Sequence, residues 1–578
     1  MSGSNDHARN SGKSSNMNKL TRWVLGGGLA LVVATAPRAA RACGGFFCSA
    51  ANPVNQAAER IVFAHHGDGT VTAVIEIQYQ GPSESFSWLL PISSVPMGDQ
   101  IAVASSVALQ RLQSATNPQY NLTTRVEGTC ATRLNIDDSL AGGNRADSPS
   151  ASAGGGAASA PMGVTVEAQG VVGSFEWTVI SLDAALAEPA DAAVEWLNQN
   201  DYDVPSGAPG LLGPYLDEGM YLLALKLQKG ADAGSIRPIV LTYDAELPMI
   251  PIKLTAVAAN EDMGVMTWLL GEARAVPKNY NALELNEARI NWFNASSTYN
   301  QVVIEAADDA GGQGFVTELA ADTTTLRDRV WSEAEESSWQ WLRTRAEASQ
   351  NVYDELASQF MSFDGFWESV EGHITLPVGT TFEQHRMCPF CTSGLITMDT
   401  ELPGLIEANV IEPMRLVQRL INQHAHVTRL YTTMSAAEMT VDPLFTFNSD
   451  LKPLSNIHTA ERIIECSPAY YQEDAPWRIE LPQGGQIRGG PTQIGTWPTD
   501  FDGQPANRRI LRQSESGEGQ VLEDNSADIE SSLGDYNATV PRPPKLDNDG
   551  CSVGRGAGTA GWLLAALGFI ALLRRRHC

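Results

Sequence analysis

The chain has 578 residues, with 39 Lys and Arg against 67 Asp and Glu, a net charge of −28. That excess repels nucleic acid and anionic lipid, so a nucleic-acid function is disfavoured. Apolar residues make up 43% of the chain, enough for a sizeable core, and the length predicts about three units at ~100–200 residues each.

The first 42 residues read as a signal peptide. Lys19 and Arg22 precede an apolar run, Trp23–Ala36, and Ala40-Arg41-Ala42 is a small-x-small cleavage site for signal peptidase. Met17 is an alternative start. Cleavage after Ala42 makes Cys43 the first mature residue, and Arg41 disfavours lipidation there.

Cys43-Gly-Gly-Phe-Phe-Cys48 opens the mature chain. Glu59–Ala64 and Thr70–Gln80 then read as strands. Val71, Ala73, Ile75, Ile77 and Tyr79 alternate onto one face, and Asp68-Gly69 supplies the turn. His65-His66 beside Asp68 reads as solvated turn residues. Ser85–Pro91 is a third strand. Residues 137–162 are Gly, Ala and Ser without periodicity, a flexible insertion. Strands are predicted at Val164–Ala168, Ser174–Ile180, Met220–Gln228, Arg237–Tyr243, Ile250–Val257 and Gly264–Leu270, with one more at Asn300–Glu305. Ala184–Asn200 is a predicted helix.

Three stretches carry a resemblance. Cys43–Cys48 with the following hairpin and Trp88-Leu-Leu-Pro91, then Pro248–Leu254, then Val427–Pro443, look like the exported bacterial family called domain of unknown function 2330. It spans about 43–470 and implies no activity, substrate or catalytic residue.

At Thr323–Met361 the period changes to that of one helical face, through Leu326, Val330, Ala334, Trp341, Val352, Leu356 and Phe360. A second helix is predicted at Leu405–Asn422. Strands followed by helices suggest α+β, an antiparallel β-rich N-terminal and central part followed by a helical segment, 323–425. The acidic, Gly/Ser/Asn-rich stretch from about 498 to 546 reads as a disordered stalk. Pro541, Pro543 and Pro544 then lead to Cys551, the uncharged run Ala557–Leu573, and Arg574–Arg576. This run of 17 residues without a charge is at the short limit of about 17 for a spanning helix, and the basic stop favours a cytoplasmic end. Linker, Cys, short helix and Arg cluster resemble the myxobacterial MYXO-CTERM sorting tail. That resemblance implies cleavage by a membrane-embedded sorting protease and attachment through Cys551. The organisation is then signal peptide 1–42, exported region 43–470, a partly ordered then disordered acidic stalk 471–550, and tail 551–578. Removing the six basic residues and one acid of 1–42 and the four arginines of 552–578 leaves 29 basic against 66 acidic residues, a net −37.

Cys43, Cys48, Cys130, Cys388, Cys391 and Cys466 lie between signal and linker. An even number in an exported chain reads as disulfides, with 15 pairings open. The simplest is Cys43–Cys48, Cys388–Cys391 and Cys130–Cys466. Cys388-Pro-Phe-Cys391 resembles a glutaredoxin-type redox pair, but Thr392-Ser393-Gly394 is poor material for the helix that mechanism requires. His385, Cys388 and Cys391 with His424 and His426 form a candidate zinc set. Asp547, Asp549 and Gly550 look like part of a calcium loop without its remaining ligands. No cofactor is predicted beyond these zinc and calcium options.

The reading is an exported module, anchored at the membrane or cell surface, disulfide-stabilised and non-enzymatic. It binds an envelope protein, a glycan or a cation. The alternative is an extracytoplasmic enzyme, either a thiol oxidoreductase at Cys388/Cys391 or a metal-dependent hydrolase.

Overall fold

The predicted hairpin forms from strands Asn55–His65 and Thr70–Gln80, antiparallel, with Asp68 Oδ1 accepting from Thr70 N in the turn at 3.0 Å. The four consecutive residues Ile61, Val62, Phe63 and Ala64 are all 2% exposed or less. A strand apolar at every position must be covered on both faces. It lies inside a ten-stranded sheet ordered 520–524, 507–512, 281–285, 314–322, 426–434, 259–271, 55–65, 70–80, 239–244, 101–103. The computed structural model describes residues 55–80, 86–131 and 163–540, except 184, 203, 205–206, 229–235, 258, 491–496, 499–500 and 502. They form the expected α+β fold, with most strand pairs antiparallel. Three pairs are parallel: 55–65 with 259–271, 281–285 with 314–322, and 119–127 with 457–465.

On one face of the central sheet, Val62, Ala64, Val74 and Trp268 pack under helices Ser106–Thr116, Glu333–Glu347, Tyr353–Phe360 and Glu412–Gln423. Two of these begin on serine caps, Ser105 accepting from Val107 N and Ser332 in a reciprocal box with Glu335. On the other face, Ile61, Phe63, Val71 and Ala73 meet Ile252, Phe315 and Phe445. Each such side chain contributes about 1.5–3 kcal/mol when taken from water. A second sheet, ordered 87–92, 221–227, 175–182, 164–172, lays Trp88, Leu90 and Trp177 against Ile77, Ile239 and Leu241 of the first. Helices Pro189–Gln199 and Ala208–Asp217 cover its far side.

A third sheet, ordered 486–489, 477–480, 457–465, 119–127, ends in the last of the parallel pairs. Just beyond that pair a disulfide joins Cys130 to Cys466, 336 residues apart. Gly128 sits beside it at φ +85°, where a Cβ would run into the Cys466 carbonyl, so only glycine fits.

Several expectations are corrected. Ile250–Val257 is no strand. Pro248 and Pro251 lack the N–H a ladder needs, and after one bridge between Met249 and Leu444 the chain makes a helical turn, Ile252–Thr255. Asn300–Glu305 belongs to helix Tyr299–Asp309, whose Val302, Val303, Ala306 and Ala307 are buried at helical spacing. The predicted helix Leu405–Asn422 begins at Leu402 and passes through a widened turn, Glu407–Ile411, before Glu412–Gln423. The stretch read as a stalk supplies two strands of the central sheet, Asn507–Arg512 and Gln520–Asp524, and helix Ser526–Thr539. Phe501, Ile510, Ile529, Leu533 and Tyr536 anchor it, sparse apolar residues in a polar background. Strands 507–512 and 520–524 pair into the central sheet, so this part of the chain is folded with it rather than set apart as a stalk. Among the described residues no helix is long and apolar enough to cross a membrane. The signal peptide, Cys43, Cys48, the insertion 137–162 and the tail with Cys551 lie outside the described residues.

Candidate functional site

The two described cysteine pairs of the simplest pairing are bonded, Cys130 to Cys466 and Cys388 to Cys391. Cys388 ends helix Phe382–Met387, and Cys391 lies in the tight turn Pro389–Thr392. Neither cysteine stands at the start of an α-helix, the arrangement that stabilises a reactive thiolate. His385, the third member of the zinc set, is buried with both ring nitrogens in use. Nε2 meets the Tyr353 hydroxyl at 2.5 Å and Nδ1 the Thr392 hydroxyl at 2.7 Å. Cysteines bonded to each other offer no thiolate to a metal. Among the described residues no group of three or more His, Cys, Asp or Glu is arranged to hold one.

His424 and His426 are elsewhere. His424 closes helix Glu412–Gln423, its Nδ1 2.7 Å from the Leu420 carbonyl, and His426 opens strand His426–Met434. His424 packs against His66, ring centroids 5.2 Å apart. His66 is therefore a half-buried residue rather than a solvated one. Burial, then His424, lower its pKa, and Asp68 pulls the other way.

One polar cluster was not marked by any motif. A cavity of about 450 Å³ lies between the central sheet and the third sheet. Three strand irregularities border it, at Thr317/Leu319, Glu284/Leu285 and Ile510/Leu511. An extra residue in a strand re-aims its side chain, and Glu318 stands at the first of these. Glu318 is 3% exposed. Its Oε1 accepts from the Tyr299 hydroxyl at 2.5 Å, and its Oε2 pairs with Arg429 Nε at 2.5 Å. Burial pushes Glu318 up against the pull of Arg429. Arg429 is also held by the Gln113 carbonyl, the Thr116 hydroxyl and Asn117 Oδ1.

Beside this pair lies Glu287. It starts the short turn Glu287–Arg289, capped by Asn286 Oδ1 on Ala288 N at 3.1 Å. Its Oε1 is 2.7 Å from His458 Nδ1, and the His458 ring stacks on Tyr120 at 4.5 Å and 12°. Its Oε2 is buried and has no hydrogen-bond partner among the described residues. An unpaired buried carboxylate oxygen carries a desolvation penalty of about 1–3 kcal/mol or more. Tyr120 and Tyr299 also line the cavity, and burial and the nearby carboxylates push both phenols well up. Arg509 closes one side with a bidentate pair to Glu284, 2.8 Å in both arms. Lys452 and Glu518 are exposed at the rim.

The family described as "Uncharacterized protein conserved in bacteria (DUF2330)" matches residues 37–330, just over half of the chain. No curated protein and no solved structure matches it.

Proposed function

Because the chain belongs to the bacterial DUF2330 family of uncharacterized proteins, no activity comes with its kinship, and we propose a function from the cavity itself. The protein is an exported, surface-anchored binding module that takes a small hydroxyl-bearing ligand, a glycan fragment, between Tyr120, Glu287 and Tyr299. One observation carries this reading: the buried, unpartnered Oε2 of Glu287 in a cavity of about 450 Å³. A sugar hydroxyl donated to that oxygen supplies its missing hydrogen bond. The volume lies in the range of about 300–1,000 Å³ usual for small-ligand sites.

Binding is favoured over two-carboxylate hydrolysis because Glu318 is engaged by Tyr299 and Arg429 and Glu284 by Arg509, leaving Glu287, among the described residues, without a second free carboxylate inside the cavity to act with. The thiol oxidoreductase alternative lacks its helix. Export is supported by the two disulfides, bonds that persist in oxidising compartments. Calorimetric titration with neutral mono- and disaccharides and with cationic aminosugars tests the ligand class. Saturable binding of a neutral sugar, lost in Glu287→Ala at unchanged melting temperature, is expected. No binding by any sugar, or equal binding by Glu287→Ala, refutes the proposal. Binding of aminosugars alone reassigns the site to amines.

A further inference from the structure

A second cavity, of about 360 Å³, opens where the first and second sheets part. Facing sheets ordinarily interdigitate about 10 Å apart with little space between. Here Ile61, Phe63 and Ile75 of the central sheet and Trp88 and Leu90 of the second line a gap instead. The loop Pro248–Pro251 forms another wall, and its two prolines restrict its backbone. Two sequence motifs that the polar cavity leaves unexplained, Trp88–Pro91 and Pro248–Leu254, thus meet here.

The charged groups are few and of one sign. Glu59 is buried and accepts from the Thr255 hydroxyl at 3.1 Å. Glu246 is exposed at the rim. Among the described residues no Lys, Arg or His lines this cavity. Of the hydroxyls in the wall, Thr255 donates to Glu59 and Ser93 to the Asp244 carbonyl, while that of Tyr243 has no hydrogen-bond partner among the described residues; burial pushes the Tyr243 pKa up.

We propose that this cavity binds an uncharged apolar chain ending in a hydroxyl, of the long-chain alcohol or monoacyl-glyceride type, with the head group on Tyr243. An anionic head group is excluded by Glu59 and Glu246, with no cation to receive it, and by the net charge of −28. The chain is held by the apolar walls alone. This site is independent of the polar cavity and of the ligand proposed there.

The test uses the full-length protein and the neutral fluorescent probe N-phenyl-1-naphthylamine, displaced by 1-decanol or by decanoate. Saturable probe binding is expected, with decanol displacing it about tenfold or more better than decanoate. Tyr243→Phe should weaken decanol about three- to tenfold and leave the probe unaffected, because it removes one hydrogen bond. Ala245→Trp, at the half-exposed rim, should block both ligands. Unchanged melting temperatures of the two variants establish that they fold. Absence of saturable probe binding, decanoate equal to decanol, or full binding by a folded Ala245→Trp each overturns the proposal.

Discussion

Replacing Cys130 and Cys466 together by serine should destabilise the protein far more than replacing Cys388 and Cys391. A disulfide restricts the unfolded chain, and the restriction grows with the logarithm of the loop closed. The first bond spans 336 residues and the second spans 3. The chain-entropy relation gives about 6 kcal/mol for the long loop and about 2 kcal/mol for the short one, upper values since measured losses commonly fall below them. The difference, about 4 kcal/mol, is the quantity to measure. Urea unfolding of wild type and of the two double variants, followed by tryptophan fluorescence, reads it out. The long-loop variant should also show a steeper denaturant dependence, because its unfolded state is no longer held in a ring and exposes more surface. Equal losses for the two variants, or a smaller loss for Cys130/Cys466, would refute the loop-entropy argument and place the value of the long bond in native contacts instead.

Glu318→Ala should cost about 3–5 kcal/mol by leaving Arg429 charged, buried and unpaired. Urea unfolding measures it, and the double variant Glu318→Leu, Arg429→Met should recover much of the loss. The lowered pKa of His66 means that the folded state prefers the neutral ring. Its stabilising contribution is complete above the unfolded value of 6.5 and is lost as pH falls below it. His66→Gln should therefore flatten the decline in melting temperature between pH 7 and the acid side; an unchanged decline assigns it to other groups. Gly128→Ala should lose about 1–3 kcal/mol from its positive φ and the collision with the Cys466 carbonyl, read as a lowered melting temperature.

What the sequence made legible was local. The hairpin 55–80 follows from alternation and an Asp-Gly turn; helices do fill much of 323–425, but the face read there is not the buried one in Glu333–Glu347, where Ala334 and Trp341 are exposed and Trp339, Leu342 and Ala346 are buried. The misread elements share a cause, since tertiary packing outweighed composition. Val302 and Val303 suggest a strand by their branching, yet with Ala306 and Ala307 they make one face of a helix. In 507–540 a few apolar side chains suffice because the central sheet already offers an edge to pair with. The polar cavity could not be found by spacing. Tyr120, Glu287, Tyr299, Glu318 and His458 come from separate segments and meet through sheet order alone. His66 and His424 were visible as separate histidine motifs, but their meeting was not.

The place of the first described strand inside the sheet sets a timetable for folding. Ile61 lies opposite Thr267, and Thr267 opposite Leu430. At synthesis rates of about 5–20 residues per second, Ile61 emerges about 20–70 seconds before Leu430. The hairpin 55–80 waits with both edges open until 239–244 and 259–271 emerge, and the free edge of 259–271 then waits until 426–434 arrives. Pairing across such separations is slow even once all the strands are present. The central sheet therefore closes only after most of the chain has been made. The chain's surplus of like charges helps meanwhile, keeping the waiting chains from one another.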